Sequence, residues 1–222
     1  MHSYDFNLVG EKLTALRTGS LFWEEMGILC VSDLHLGKTH RLNRIGAGAL
    51  PPYENIDTLK RLQEDIHNTN PSCVICLGDS FDDPLAERSL STNEIDSLKI
   101  LQKGRDWIWI SGNHDPFISS KYGNYLNSFS KSAITFRHIA LRGENGEISG
   151  HYHPKISVKL SNATVVRACF IADQNKIIMP AYGTYTGGMS VRSDEIKELV
   201  DPDAIVMLTG KKIRAIPYSS CF

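Results

Sequence analysis

The chain has 222 residues, 41% of them hydrophobic, with a formal net charge of -1 and a pI near 6.7. That length buries one substantial core, so a single domain over residues 1–222 is expected. The near-neutral balance excludes a coat protein that grips nucleic acid through a global basic field, though not an enzyme that acts on it.

No apolar run approaches the ~20 residues needed to span a bilayer. Met1-His2-Ser3-Tyr4-Asp5 lacks the basic start and apolar core of an export signal, so a cytoplasmic protein with no membrane partner is expected. Cys30, Cys73, Cys76, Cys169 and Cys221 are an odd number at irregular spacing, which reads as reduced thiols. Cys73-Val-Ile-Cys76 has zinc or redox spacing, but no second pair completes a site and the stretch is apolar. Buried strand cysteines are expected there.

In chain order, Gly27 to Ser32 is a short apolar run ending in a polar turn and predicts a buried strand. Ile56, Leu59, Leu62 and Ile66 fall at helical spacing over Asn55 to Asn68. Ser72 to Leu77 predicts a second strand. Ile95, Leu98 and Leu101 give a second helix over Ser91 to Leu101, with Thr92 as its cap. Asp106 to Ser111 predicts a third strand, in which Trp107 and Trp109 alternate as core residues. The second half changes character: Ala133 to His138, Glu147 to Ser149, Thr164 to Ile171 and Lys176 to Met179 read as short strands between Gly or Asn turns. A final pair lies near Ala204 to Leu208 and Lys212 to Ile216. The expected architecture is α/β (α+β) in four layers, a two-sheet β-sandwich flanked by helices.

Five polar clusters follow these strands: Asp33-x-His35, Gly78-Asp79, Gly112-Asn113-His114-Asp115, a lone His138, and Gly150-His151-x-His153. Open α/β sheets place their ligand sites at strand exits. Each cluster alone is an ordinary loop feature, but together they supply carboxylate, imidazole and amide donors for two adjacent cations. Mixed nitrogen and oxygen donors suit manganese, iron, zinc or nickel better than calcium.

These clusters resemble the calcineurin-like metallophosphoesterase superfamily, whose pattern is D-x-H, G-D-x-x-D, G-N-H-[DE], a lone H and G-H-x-H. The resemblance spans roughly residues 27 to 185. It implies a metallo-dependent phosphatase-like fold holding two divalent transition-metal ions, manganese first among them. Asp33, His35, Asp79 and His153 would hold one ion, and Asp79, Asn113, His138 and His151 the other. His114 would stand beside the metals as a proton donor to the leaving oxygen or a clamp on phosphate, oriented by the Asp82 carboxylate. Longer stretches, among them Asp33-Leu-His-Leu-Gly-Lys38, Leu77-Gly-Asp-Ser-Phe81 and Pro180-Ala-Tyr-Gly-x-Tyr-Thr-Gly-Gly188, look like a PdeM-like bacterial subgroup, described as ligase-associated DNA damage response endonucleases. That subgroup commonly has His then Asp after Ser-Phe, where this chain has Asp82 then Asp83, so either carboxylate is open as the partner of His114.

The resemblance implies hydrolysis of a phosphodiester by attack of a metal-bridging hydroxide, because paired cations lower the pKa of bound water. Single-stranded DNA is the substrate it suggests, with a repair helicase or ligase as partner, and homo-oligomer formation stays open. A phosphomonoesterase or nucleotide pyrophosphatase is an alternative on the same core, and a non-catalytic metal-binding scaffold is another. Lys38, Arg41 and Arg44 follow the first cluster and form a dense basic stretch, read either as phosphate contacts or as a solvated loop, with Lys155 and Lys159 adding to the same face. Tyr182 and Tyr185 either line the cleft and stack on a base or form a packed turn.

Overall fold

The computed structural model describes residues 2–48, 50–116, 123–160 and 163–222. Two mixed sheets face each other. The first is built, in spatial order, from β1 (Ser3–Leu8), β2 (Glu11–Leu16), β3 (Leu21–Trp23), β4 (Ile28–Val31), β5 (Cys73–Leu77), β6 (Asp106–Ile110) and β7 (Asn124–Leu126). Strands β1 to β4 form an antiparallel meander, and β4 to β7 run parallel.

The second sheet comes from the C-terminal half. It contains β8 (Ser128–Lys131), β9 (Ile134–Arg137), β10 (Glu147–Ser149), β12 (Ala163–Ala172), β13 (Lys176–Ile178), β14 (Ile205–Leu208) and β15 (Arg214–Pro217). Its order is β15-β14-β12-β13-β10-β9-β8, and β11 (Lys155–Leu160) pairs with the N-terminal half of β12 as an antiparallel ribbon extending beyond the sheet.

Helices cover both outer faces. Between β4 and β5 lie α1 (Lys38–Arg44) and α2 (Glu54–Thr69), between β5 and β6 lie α3 (Ala86–Ser89) and α4 (Thr92–Gln102), and α5 (Asp194–Lys197) precedes β14.

Side-chain alternation explains the layering. Along β5, Ile75 and Leu77 point between the sheets, where they meet Phe136, Ile148, Phe170 and Met207, while Val74 and Cys76 point outward beneath Leu59, Leu62 and Leu98 of the helices. A strand buried on both faces needs an unbroken apolar run, which is why Ser72 to Leu77 reads so clearly in the sequence. Trp107 and Trp109 sit in the outer core, at 4% and 0% exposure. The opposite outer face packs Ile156, Ile171, Ile178 and Val206 against Ile196 and Tyr218. All five cysteines are free thiols, and burial raises the thiol pKa of Cys30, Cys73, Cys76 and Cys169.

Three expectations change. Ser91, not Thr92, caps α4: its hydroxyl accepts from the Glu94 N–H while the Glu94 carboxylate accepts from the Ser91 N–H, a complete capping box. Ile56 shares helical spacing with Leu59 yet is 60% exposed at the rim of a groove between α2 and α4. The basic stretch after the first cluster is helix α1 rather than loop, entered through Gly37 at φ 83°. No helix of the described residues is long and apolar enough to cross a membrane.

Candidate metal centre

Every cluster leaves the end of a strand. Asp33 and His35 follow β4, Asp79 and Asp82 follow β5, Asn113 and His114 follow β6, His138 follows β9, and His151 and His153 follow β10. The loops are stitched to one another by main-chain hydrogen bonds. Asp33 and His35 donate their N–H groups to the carbonyls of Gly78 and Asp79 at 3.2 and 2.9 Å, and Gly150 donates to the carbonyl of His138 at 2.9 Å. Asp115, 1% exposed, accepts from the N–H groups of Ser80, Phe81 and Gly112 at 2.6, 3.0 and 3.1 Å, tying the second cluster to the third. Desolvation raises its pKa to about 7.

Close approach dictates the glycines. A Cβ on Gly150 would fall 1.8 Å from Ser32 Oγ and 2.6 Å from Asp33 Oδ2, and one on Gly78, at φ 78°, would fall 2.5 Å from His138 Nδ1. The donor residues themselves are bent. Asp33, His35, Asp79, His151 and His153 have φ of 52°, 46°, 45°, 70° and 45°. A left-handed non-glycine residue costs roughly 1–3 kcal/mol and persists only where its surroundings enforce it. These five residues, all at strand exits, turn their side chains back toward one point.

Two convergent sets result. Donor atoms of Asp33, His35 and His153 lie within 4.8 Å of one another, and so do those of Asp79, His138 and His151. Asn113 Oδ1 stands 3.0 Å from His138 Nε2 and so joins the second set. The sets are neighbours, because His138 Nδ1 approaches Asp33 Oδ1 at 3.9 Å and the His151 N–H donates to Asp33. The structure thus brings all seven proposed metal donors together.

The histidines are aimed by what lies behind them. His35 Nδ1 stands 2.8 Å from the Asp82 carboxylate, and His138 Nδ1 stands 2.7 Å from the carbonyl of Leu77. An ionised carboxylate and a carbonyl can only accept, so both Nδ1 atoms carry a proton and the Nε2 atom of each ring is the one turned to the site. His35 Nε2 lies 3.5 Å from His153 Nε2, and His138 Nε2 lies 3.3 Å from His151 Nδ1. A cation between such facing nitrogens, or a hydrogen bond from one ring to the other, accommodates these distances. The donor set therefore fits a pair of cations of borderline softness.

The electrostatics agree. Burial opposes the charge on Asp79, but the hydrogen bond and charge of His138 and the His114 N–H overcome it and hold its pKa at about 2. Burial likewise works against Asp33, and His153, His138 and Ser32 outweigh it. Between these carboxylates His138 rises to about 9 despite its desolvation, whereas burial and His138 depress His151. Two carboxylates are thus kept anionic among imidazoles in the protein interior, an arrangement that attracts divalent cations.

The residues around the donor sets depart from the sequence reading in two respects. The Asp82 carboxylate does not orient His114. It holds His35, Lys38 and Arg41, and it is the Asp82 main-chain carbonyl that receives His114 Nδ1 at 3.0 Å. Asp83 is not the partner of His114 either, since its carboxylate pairs with Arg44. The reason is reach: His35, two residues beyond Asp33, is turned under the loop that carries Asp82 and takes the carboxylate first. Tyr182 does not line the cleft. It is 1% exposed, its hydroxyl donates to Asp65 Oδ2 at 2.9 Å, and the Arg61 guanidinium lies 4.7 Å over its ring. Tyr185, at 39% exposure, is the one of these two tyrosines that reaches the surface. Asp115, as the carboxylate that clamps two loops, and Leu77, as the histidine acceptor, had no assigned role in the sequence reading. The adjacency of Asp115 to His114 was the only signal for the former, and a main-chain acceptor leaves none.

Among solved structures, a Pseudomonas putida nuclease, MPE, is similar at a TM-score of 0.75 and 20% identity, covering 96% of this chain and 100% of that one. The Yfce phosphoesterase of E. coli is matched at a TM-score of 0.40 and 11% identity over 88% of this chain and 94% of that one, too weakly to carry an argument. No curated protein sequence matches the chain. The family model for calcineurin-like phosphoesterases matches residues 26–206, a span containing every donor described above, and the chain accordingly belongs to the calcineurin-like phosphoesterase family of metal-dependent ester hydrolases.

Proposed function

We propose that this protein is a two-metal phosphodiesterase acting on nucleic acid. The observation that carries the metal-dependent part is the pair of adjacent donor sets, each aimed by a fixed Nδ1 hydrogen bond. Asp33, His35, His153 and a shared Asp79 would hold one cation, and Asp79, Asn113, His138 and His151 the other. Two such cations supply positive charge for the phosphoryl oxygens and acidify water near neutral pH.

The chain's own groups do the rest. Asp82 fixes the ring of His35 so that Nε2 faces the site. The Nδ1 proton of His114 is engaged by the Asp82 carbonyl, leaving its Nε2 to meet substrate. As an imidazolium it can donate a proton to the leaving oxygen, and a positioned acid contributes about 100- to 10,000-fold.

A diester fits better than a monoester. A monoester carries a second negative charge near neutral pH, and the basic side chains of α1 are already paired: Lys38 and Arg41 with Asp82, and Arg44 with Asp83. Nucleic acid as the diester is supported by the PdeM-like motifs and by the nuclease of similar fold. A repair helicase or ligase partner and a cytoplasmic setting rest on those motifs.

The test is turnover of bis(p-nitrophenyl) phosphate and p-nitrophenyl phosphate with manganese, iron, zinc or nickel, alongside cleavage of single-stranded DNA. Diester hydrolysis with strand cleavage is expected. Faster hydrolysis of the monoester would overturn the diester reading, and no turnover of any substrate with both metals bound would make the protein a scaffold.

A further inference from the structure

The chain is nearly neutral, yet its charge is unevenly placed. Residues 155–172 and 204–222 contain Lys155, Lys159, Arg167, Lys211, Lys212 and Arg214 and not one Asp or Glu. The topology gathers most of these at one place. Where the β11–β12 ribbon leaves the second sheet, a groove of about 510 Å³ is walled by Arg167, Lys211, Lys212 and Arg214 and floored by Val158, Val165 and Leu208. All four cations are exposed, and none forms an ion pair among the described residues. In this respect they differ from Lys38, Arg41 and Arg44, whose charge is spent on carboxylates.

The groove occupies the face of the ribbon that carries Val158, Val165 and Arg167, and Lys155, Val166 and Ala168 lie on the opposite face. A second depression, on that opposite face, shares Thr209 with the groove at the edge of the ribbon and runs past Lys155 and Tyr185 to Gly183, whose N–H donates to the Asp33 carbonyl at 3.1 Å. Strand β11 starts two residues after His153, and at 3.3 Å per residue Val158 lies about 17 Å along the chain from that histidine. That is a span of a few nucleotides, at the lower end of the 4–16 that a single-strand groove typically tracks.

We infer that the groove of Arg167, Lys211, Lys212 and Arg214 is a sequence-blind binding tract for the phosphate backbone of a single strand whose scissile phosphate lies at the metals. The inference rests on the nucleic-acid reading of the site. Four unpaired cations, from which a strand can round the ribbon edge at Thr209 toward the depression beside Asp33, are complementary to a chain of regularly spaced monoanions. Among the described residues no aromatic side chain lines the groove, so its grip falls on phosphates rather than on stacked bases.

The test measures how oligo(dT) of 6 and of 24 nucleotides inhibits hydrolysis of bis(p-nitrophenyl) phosphate by the manganese-loaded protein. Arg167→Gln/Lys211→Gln/Lys212→Gln/Arg214→Gln is compared with the parent, and Lys211→Gln/Lys212→Gln, confined to the β14–β15 turn, serves as a milder variant. Expected is inhibition by the 24-mer at least tenfold weaker in the fourfold variant and several-fold weaker in the double one. Inhibition by the 6-mer and turnover of the small diester stay unchanged. The logarithmic salt dependence for the 24-mer flattens by about 2–3 in slope, at ~0.7 for each phosphate that is no longer neutralised.

Equal inhibition of parent and both variants by the 24-mer would overturn the tract and leave the nuclease reading intact. A parent that hydrolyses the small diester but is neither inhibited by oligonucleotides nor able to cleave them would overturn both. Charge-dependent binding of phosphatidylserine vesicles, without oligonucleotide inhibition, would reassign the groove to a membrane surface and overturn the proposal.

Discussion

His35 and Asp82 form a buried pair, Nδ1 to Oδ1 at 2.8 Å with side chains 3% and 0% exposed, and Lys38 and Arg41 share the same carboxylate. Burial alone would push the Asp82 carboxyl upward, but His35, Arg41 and Lys38 together hold it well below the usual carboxylate range. The acceptor behind His35 is therefore ionised throughout the physiological range and fixes the ring. Removing it with Asp82→Ala is expected to weaken metal binding roughly 10- to 100-fold, the usual cost of losing a group behind a histidine donor. Asp83→Ala, which frees only Arg44 and a loop N–H, should leave metal affinity unchanged. Manganese titration of both variants checks the contrast.

His114→Ala removes the imidazole but keeps the main-chain N–H that donates to Asp79 Oδ1 at 2.8 Å. Asp79 thus stays in place, and both metals should remain bound while turnover of the diester falls about 100- to 10,000-fold. Elemental analysis beside steady-state rates decides it: loss of metal would make His114 a ligand instead.

Gly150→Ala should be severe for so small a change. The added methyl would meet Ser32 Oγ and Asp33 Oδ2 well inside contact distance, and neither loop can retreat without breaking the hydrogen bonds that join them. Both a lower melting temperature and loss of metal are expected, measured by thermal unfolding and metal analysis. Retention of full metal content would show that the loops have more freedom than their packing implies.

Tyr182→Phe separates a core residue from a substrate platform. The hydroxyl donates to Asp65, which also accepts from Thr18 and Ser20, so its loss should cost about 1 kcal/mol in urea unfolding. Turnover of single-stranded DNA should change less than twofold. A large rise in KM with unchanged stability would return Tyr182 to the substrate.

Metal removal should lower stability, because Asp33 and Asp79 remain as buried carboxylates whose strongest partners are gone. A ligand held at 100 times its Kd stabilises by about 2.7 kcal/mol, so manganese added back to chelated protein should raise the melting temperature in a concentration-dependent way. Calorimetry with and without metal reads this directly.

The donor residues were legible in the sequence because strand, turn and ligand are local in the chain. Val31, Leu77, Ile110 and Ser149 each end a strand, and within four residues a carboxylate, amide or imidazole follows. The period of two that buries Val74 and Ile75 on opposite faces is likewise a property of consecutive residues. The N-terminal strands β1 and β2 were not legible, because Ser3–Leu8 and Glu11–Leu16 mix polar and apolar residues over six positions and are completed only by pairing with each other.

What packing alone decided is which group faces which. Asp82 and His35 are 47 residues apart, Leu77 and His138 are 61 apart, and Tyr182 and Asp65 are 117 apart. Residue type and spacing show that an imidazole needs an acceptor behind it, but several acceptors compete and their order is set by distance once the sheets have closed. The same holds for charge: Arg41 and Arg167 are alike in the sequence, and only the folded chain gives the first a carboxylate and leaves the second without one among the described residues. Covalent order therefore determined the chemistry available to this protein. Tertiary contact, a through-space quantity, determined how that chemistry is aimed.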